Sequence, residues 1–173
     1  MITIINGTNR EENNSLIISK VLKKAVEENG KEAQILELDD IANNLINKNK
    51  YGELGDDLKL FLKQYITDAE KIIFVIPEYN GSFPGVLKTF IDYSDPKAYL
   101  GKKTGLVGLS SGRTGNTRGL DHFLGVLHYL RAEVMAFKPK LSLIDGAINS
   151  ERELDNKEYL MNLNNFVGML IKF

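Results

Sequence analysis

A chain of 173 residues is the size of one domain and long enough to bury a core without covalent staples. Its 22 Lys and Arg against 23 Asp and Glu leave a net charge of −1, with no excess of cations to grip a nucleic acid or an anionic membrane. The absence of cysteine excludes disulfides, thiolate nucleophiles, cysteine-held zinc and iron–sulfur clusters.

Short β-rich runs alternate with longer segments of helical periodicity. Ile2 to Ile5 is apolar but for Thr3 and stops at Asn6-Gly7, the pattern of a strand buried on both faces. It lacks the basic start and small-residue cleavage site of a signal peptide, and no apolar run is long enough to span a bilayer. A cytoplasmic protein is the expectation. From Ser15 to Asn29, Ile18, Leu22 and Ala25 recur at helical spacing, and Gly30 is a stop. Ala33 to Leu38 reads as the second strand.

Residues 39–55 are polar and rich in Asn and Lys, with a short turn expected around Ile41 to Ile46. Asp56 to Ala69 carries a stripe of Leu58, Phe61, Leu62, Tyr65 and Ile66 and reads as an amphipathic helix. Lys71 to Ile76 is the strongest strand signal in the chain. Pro84 to Ser94 follows as a helix with Pro84 in its first turn. Thr104 to Leu109 is the fourth strand and Asn116 to Leu130 a helix. Glu133 to Phe137 is the fifth strand, and Glu151 to Lys172 the closing helix.

Five strands alternating with five helices predict a parallel, doubly wound sheet with helices on both faces, in one domain over residues 1–173. In such sheets ligands bind beyond the carboxyl ends of the strands, where the strand order reverses. Attention therefore falls on three loops.

The first runs from Gly7 through Thr8, Asn9 and Arg10 to Asn14 and Ser15. Hydroxyl and amide donors, an arginine and a helix start make an anion site. Asn14 or Ser15 acting only as a helix cap is an equally good account. The loop is neither the Gly-x-Gly-x-x-Gly of dinucleotide folds nor a Walker A loop. The second, Pro77-Glu78-Tyr79-Asn80-Gly81-Ser82-Phe83-Pro84-Gly85, has the punctuation of a rigid turn beside the strongest strand. The third, Ser110-Ser111-Gly112-Arg113-Thr114-Gly115-Asn116, lets backbone approach a ligand closely. Turn chemistry and a helix cap explain it as well.

Together these loops resemble those of NAD(P)H-dependent FMN reductases, a family with azo, quinone and chromate reductases among its members. Gly7-Thr8-Asn9-Arg10 with Asn14-Ser15 is similar to the family's phosphate loop. The run from Pro77 to Gly85, with Leu87-Lys88, is similar to its flavin-ring loop almost without departure, and Ser110 to Arg113 to its third flavin loop. Thr8 and Asn13 stand where the family favours serine. Asn13 thereby removes one hydroxyl from the implied phosphate set. Gly115-Asn116 replaces a more glycine-rich pair.

The resemblance implies a flavodoxin-like sheet of order 2-1-3-4-5 and a bound FMN. Its phosphate would lie at Thr8, Arg10, Asn14, Ser15 and Leu16. Its ring would lie against Pro77, Glu78, Tyr79, Asn80, Gly81 and Ser82, with Ser110, Ser111, Gly112 and Arg113 at another edge. A backbone N–H at Asn80 or Gly81 would meet flavin N5 or O4. The flavin carries the chemistry, so no catalytic side chain is required. NADPH or NADH would supply electrons, and a small-molecule acceptor would take them by a ping-pong mechanism. The family also implies a homodimer or homotetramer, and no nucleic acid or membrane partner.

Two other functions stay open at this stage: a flavodoxin-type electron carrier, and a phosphate-ligand module with a vestigial flavin motif. Carriers are strongly acidic and lack a matching arginine in the phosphate loop, which the net charge and Arg10 count against. His122 and His128, six apart on one helix, fall on different faces and are poor joint metal ligands. Asp39-Asp40 and Asp56-Asp57 read as turn or helix-start acids, so no metal site is expected.

Overall fold

The computed structural model describes residues 1–39 and 55–173. The turn expected at 41–46 and the residue Asp40 lie outside the described residues. Four main strands form the sheet: β1 (Ile2–Asn6), β2 (Ala33–Glu37), β3 (Lys71–Pro77) and β4 (Lys103–Leu109). Two short ones follow, β5 (Glu133–Val134) and β6 (Lys140–Leu141). The order is β2-β1-β3-β4-β5, with β6 also paired to β4, and every pair is parallel.

Side-chain alternation sorts the central strands between two cores. Ile2 and Ile4 of β1 join Ile73 and Val75 of β3 on one face. That face is covered by α1 (Asn14–Glu28) and α5 (Lys157–Lys172), through Ile18, Leu22, Leu163, Phe166 and Leu170. Ile5, Ile72, Phe74 and Ile76 point the other way. They pack under α2 (Asp56–Leu62), α3 (Gly85–Tyr93) and α4 (Thr117–Tyr129). Burial on both faces explains why β1 and β3 are nearly continuous apolar runs.

The structure corrects three sequence-based bounds. The helix expected over Asp56 to Ala69 is α-helical only to Leu62. Lys63–Thr67 is a π turn, closed by the Asp68 N–H donating to the Lys63 carbonyl at 2.9 Å.

The fifth strand, expected from Glu133 to Phe137, is broken. Thr104 pairs with Val134 and Gly108 with Lys140, so four steps along β4 face six along the edge. The surplus loops out as a bulge. Pro139, without an N–H, cannot continue the ladder, though its carbonyl accepts from Gly108 at 2.9 Å.

The closing helix begins at Lys157, not Glu151. Asn149 Oδ1 accepts from the N–H groups of both Glu151 and Glu153, and Arg152 has φ 59°, which no α-helix tolerates. Asn156 then caps the true start by accepting from Tyr159 N–H at 3.0 Å.

Glycine is required where elements press together. A β-carbon on Gly108 would stand 2.4 Å from the Gly115 carbonyl oxygen and 2.8 Å from a Leu120 methyl. Gly125, within α4, has open space around it. Gly108→Ala should therefore lower the unfolding free energy by about 2 kcal/mol. Gly125→Ala should raise it by about 0.5–1 kcal/mol, from helix propensity alone. Urea denaturation of both variants checks this, and near-equal effects would contradict the close approach at Gly108.

Candidate functional site

The three loops leave the carboxyl ends of β1, β3 and β4, and residues from all three line one cavity of about 300 Å³. Gly7 turns the first loop tightly: its N–H donates to the Val75 carbonyl at 2.9 Å, and a β-carbon there would come within 2.7 Å of that oxygen. This closeness lays Thr8 and Arg10 over the second loop. Buried Thr8 shares a hydrogen bond with the Tyr79 hydroxyl at 2.5 Å, and the Arg10 guanidinium stacks 4.2 Å from the Tyr79 ring centroid.

The cap of α1 is Asn13, a residue the sequence reading had treated only as a lost hydroxyl. Its Oδ1 accepts from Leu16 N–H at 2.8 Å and from the Ser15 hydroxyl at 3.0 Å, while its Nδ2 holds the Arg10 carbonyl. With Asn13 as cap, neither Asn14 nor Ser15 has that task. Their backbone N–H groups have no partner among the described residues, at the positive end of a 15-residue helix whose first residues line the cavity.

The second loop is a two-residue hairpin. Tyr79 N–H donates to the Ser82 carbonyl at 2.9 Å, and Ser82 N–H to the Tyr79 carbonyl at 3.0 Å. Asn80 and Gly81 between them have φ 50° and 77°, the Asn-Gly signature of a type I′ turn. The turn uses neither central N–H, and neither has a partner among the described residues. Phe83 anchors the loop edge-on against Phe123 of α4, at 5.2 Å between centroids. His122, on the same helix, shares a hydrogen bond of 3.0 Å with the Ser82 hydroxyl.

The third loop ties itself to the second. Thr114 donates to a Glu78 carboxylate oxygen at 2.7 Å. Asn116 precedes α4 at φ 64° and makes no side-chain cap. Its Nδ2 instead donates to the Ile76 carbonyl at 2.9 Å, clamping α4 to the end of β3.

Thr8, Arg10, Asn14 and Ser15 from the first loop share the cavity wall with Pro77, Glu78 and Tyr79 from the second and Ser110 and Ser111 from the third. Asn80, Gly81 and Ser82 form the hairpin beside it. Leu16, Gly112 and Arg113 do not line it. Leu16 N–H is taken by the cap, and the Gly112 carbonyl accepts from Ser110 Oγ and Leu143 N–H. The sequence reading missed Asp145, which lines the cavity and accepts from Asn14 Nδ2 at 2.8 Å. Asp145 lies in a short 3₁₀ turn, Ile144–Ala147, with no motif of its own to announce it. The Arg152 guanidinium donates to the Glu12 carbonyl and so braces the first loop.

A cation, a hydroxyl and free helix-start amides on one side, with two unpaired hairpin amides on the other, suit a ligand with an anionic tail and a flat body edged by acceptors. FMN has that form, and the donor set fits it. No group of three or more His, Cys, Asp or Glu among the described residues could hold a metal. No helix among them is long and apolar enough to cross a membrane.

Known proteins resemble this chain in sequence and in fold. Residues 1–138 match the family model described as NADPH-dependent FMN reductase. A 2-hydroxy-1,4-benzoquinone reductase from Burkholderia sp. is 36% identical over 107 residues, covering 57% of this chain and 58% of that protein. An NAD(P)H-dependent FMN reductase from Pseudomonas aeruginosa is 33% identical over 101 residues, covering 55% of this chain and 54% of that protein. The matched region thus spans little more than half the length of these curated relatives. Among solved structures, the Paracoccus denitrificans flavoenzyme FerB, an NAD(P)H:(acceptor) oxidoreductase, superposes with a TM-score of 0.77 at 21% identity. That superposition covers 99% of this chain and 94% of FerB, a likeness of fold.

Asn13→Ala should cost about 1 kcal/mol of stability through loss of the α1 cap, and Asn13→Ser should restore most of it. Thermal or urea unfolding of the two variants is the check. An Asn13→Ala protein as stable as the parent would remove Asn13 from the cap.

Proposed function

The chain belongs to the NADPH-dependent FMN reductase family, and on that premise we propose that it is an FMN-dependent NAD(P)H oxidoreductase acting on a small acceptor: a flavin, a quinone, an azo compound or similar. The observation that carries the reading is the pairing of an α1 start and Arg10 with a hairpin whose two central N–H groups have no partner among the described residues. An anion site and a ring-edge site stand side by side, joined by the Thr8–Tyr79 hydrogen bond.

Arg10, the Thr8 hydroxyl and the Asn14 and Ser15 amides hold the phosphate, each by a charge-assisted bond. Pro77 to Ser82 support the ring, and Asn80 or Gly81 donates an N–H to its N5–O4 edge. Ser110 and Ser111 face the opposite edge. When bound, FMN supplies the redox chemistry, taking hydride from NAD(P)H and passing two electrons to the acceptor. With a quinone, the balance is NAD(P)H, a proton and quinone giving NAD(P)⁺ and hydroquinone.

The protein's own work is to bind and orient, so the absence of cysteine is no handicap. One site serving donor and acceptor in turn predicts ping-pong kinetics. The reading extends to residues 1–173 acting as one cofactor domain, assembled as a homodimer or homotetramer in the cytoplasm.

Titration of the purified protein with FMN should perturb the flavin absorption bands, and NADPH or NADH should then bleach them. Arg10→Ala should weaken FMN binding about tenfold at low salt, the order expected for one charge-assisted phosphate contact. An unperturbed spectrum would sink the cofactor assignment. Unchanged affinity in Arg10→Ala would sink only the phosphate contact.

A further inference from the structure

A second cavity, of about 410 Å³, adjoins the first at the strand ends and shares Glu78 with it. Its walls are Glu78 and Gly81 from the second loop, Thr114 from the third, and Thr117, Arg118 and Asp121 from the first turns of α4. Arg118 is the one cation among these lining residues. Its guanidinium lies against the hairpin: a β-carbon on Gly81 would stand 3.3 Å from Nη1.

No hydrogen bond or ion pair engages Arg118 among the described residues. Asp121, almost one turn further along the helix, is beyond ion-pair reach. Glu78, the other acid in the wall, already accepts from Thr114. Arginine keeps its charge at any working pH and presents a planar fork of donors matched to oxyanions. Arg118 is exposed at this cavity and touches the turn assigned to the flavin ring, so its guanidinium is free to take an oxyanion brought there.

We propose that this cavity receives the second reactant and that Arg118 holds an anionic oxygen on it, either the acid oxygen of an acceptor such as a hydroxyquinone or a phosphate of the pyridine nucleotide. The inference rests on the reductase reading above and adds to it a determinant of substrate choice. The sequence reading gave α4 no part in the site, yet Arg118 and His122, four apart on one helical face, both lean on the hairpin.

The test uses the FMN-loaded, oxidised protein without reductant, so that binding is read at equilibrium from flavin absorbance. The ligands are a hydroxynaphthoquinone, its neutral parent naphthoquinone, and NADP⁺. Arg118→Gln should weaken the hydroxynaphthoquinone about tenfold while leaving the neutral quinone within about twofold, and Arg118→Lys should recover part of the loss. If the anion is the nucleotide's, the selective loss falls on NADP⁺ instead. Unchanged affinity for all three ligands, or equal loss for acidic and neutral quinones, would overturn the proposal. FMN titration of parent and variant comes first. Failure of the parent to bind FMN sinks the reductase reading and the subsite with it. Equal FMN binding without a charge-selective loss sinks the subsite alone.

Discussion

Gly7 is pressed against β3 so closely that its N–H reaches the Val75 carbonyl and no side chain fits between them. That approach fixes where the first loop leaves the sheet. It brings the Thr8 hydroxyl to Tyr79 and lays Arg10 over the Tyr79 ring, so the loops after β1 and β3 become one unit. Asn116 makes the matching attachment on the far side, spending its amide on the Ile76 carbonyl one residue before β3 ends. β3 is thus gripped at consecutive carbonyls by the loops after its two neighbours. The rigidity of the rim comes from hydrogen bonds to main-chain carbonyls at the end of β3, where a parallel sheet has such groups to offer.

Much of the architecture could be read from residue order. β1 and β3 announce themselves because burial on both faces demands unbroken apolar runs, and α1 because its stripe and the Gly30 stop agree. Where the reading failed, a specific contact overrode the general pattern. The 151–156 segment has helical composition, but Asn149 captures two of its N–H groups and Leu154 pairs with Ile148. The edge strand looked continuous because β-propensity does not register the missing N–H of Pro139, where the ladder is interrupted. Phe137, in the looped-out stretch, packs against Phe166 with 6.5 Å between ring centroids.

The candidate site was legible where function is carried by short local runs. The Asn80-Gly81 pair encodes its own turn, and Gly7-Thr8-Asn9-Arg10 encodes a tight exit from a strand. Asp145 and Arg118 were not legible. Asp145 reaches the site from a short turn more than twenty-five residues past the third loop, and Arg118 stands two residues beyond that loop, on the helix it leads into, where no motif marks it. Asn13 was misread because a missing hydroxyl drew attention away from what an amide can do, which is to cap the helix and hold the Arg10 carbonyl together.

The bulged border of the sheet has a consequence for how copies of this protein meet. An outer strand with a long, regular row of unpaired amides invites a neighbouring chain to add itself on, copy after copy. Here β5 and β6 offer two residues each, separated by a protruding stretch that ends at Pro139. An incoming strand finds no run long enough to zip against, so sheet-to-sheet polymerisation along this border is discouraged by shape alone, at no expense in charge.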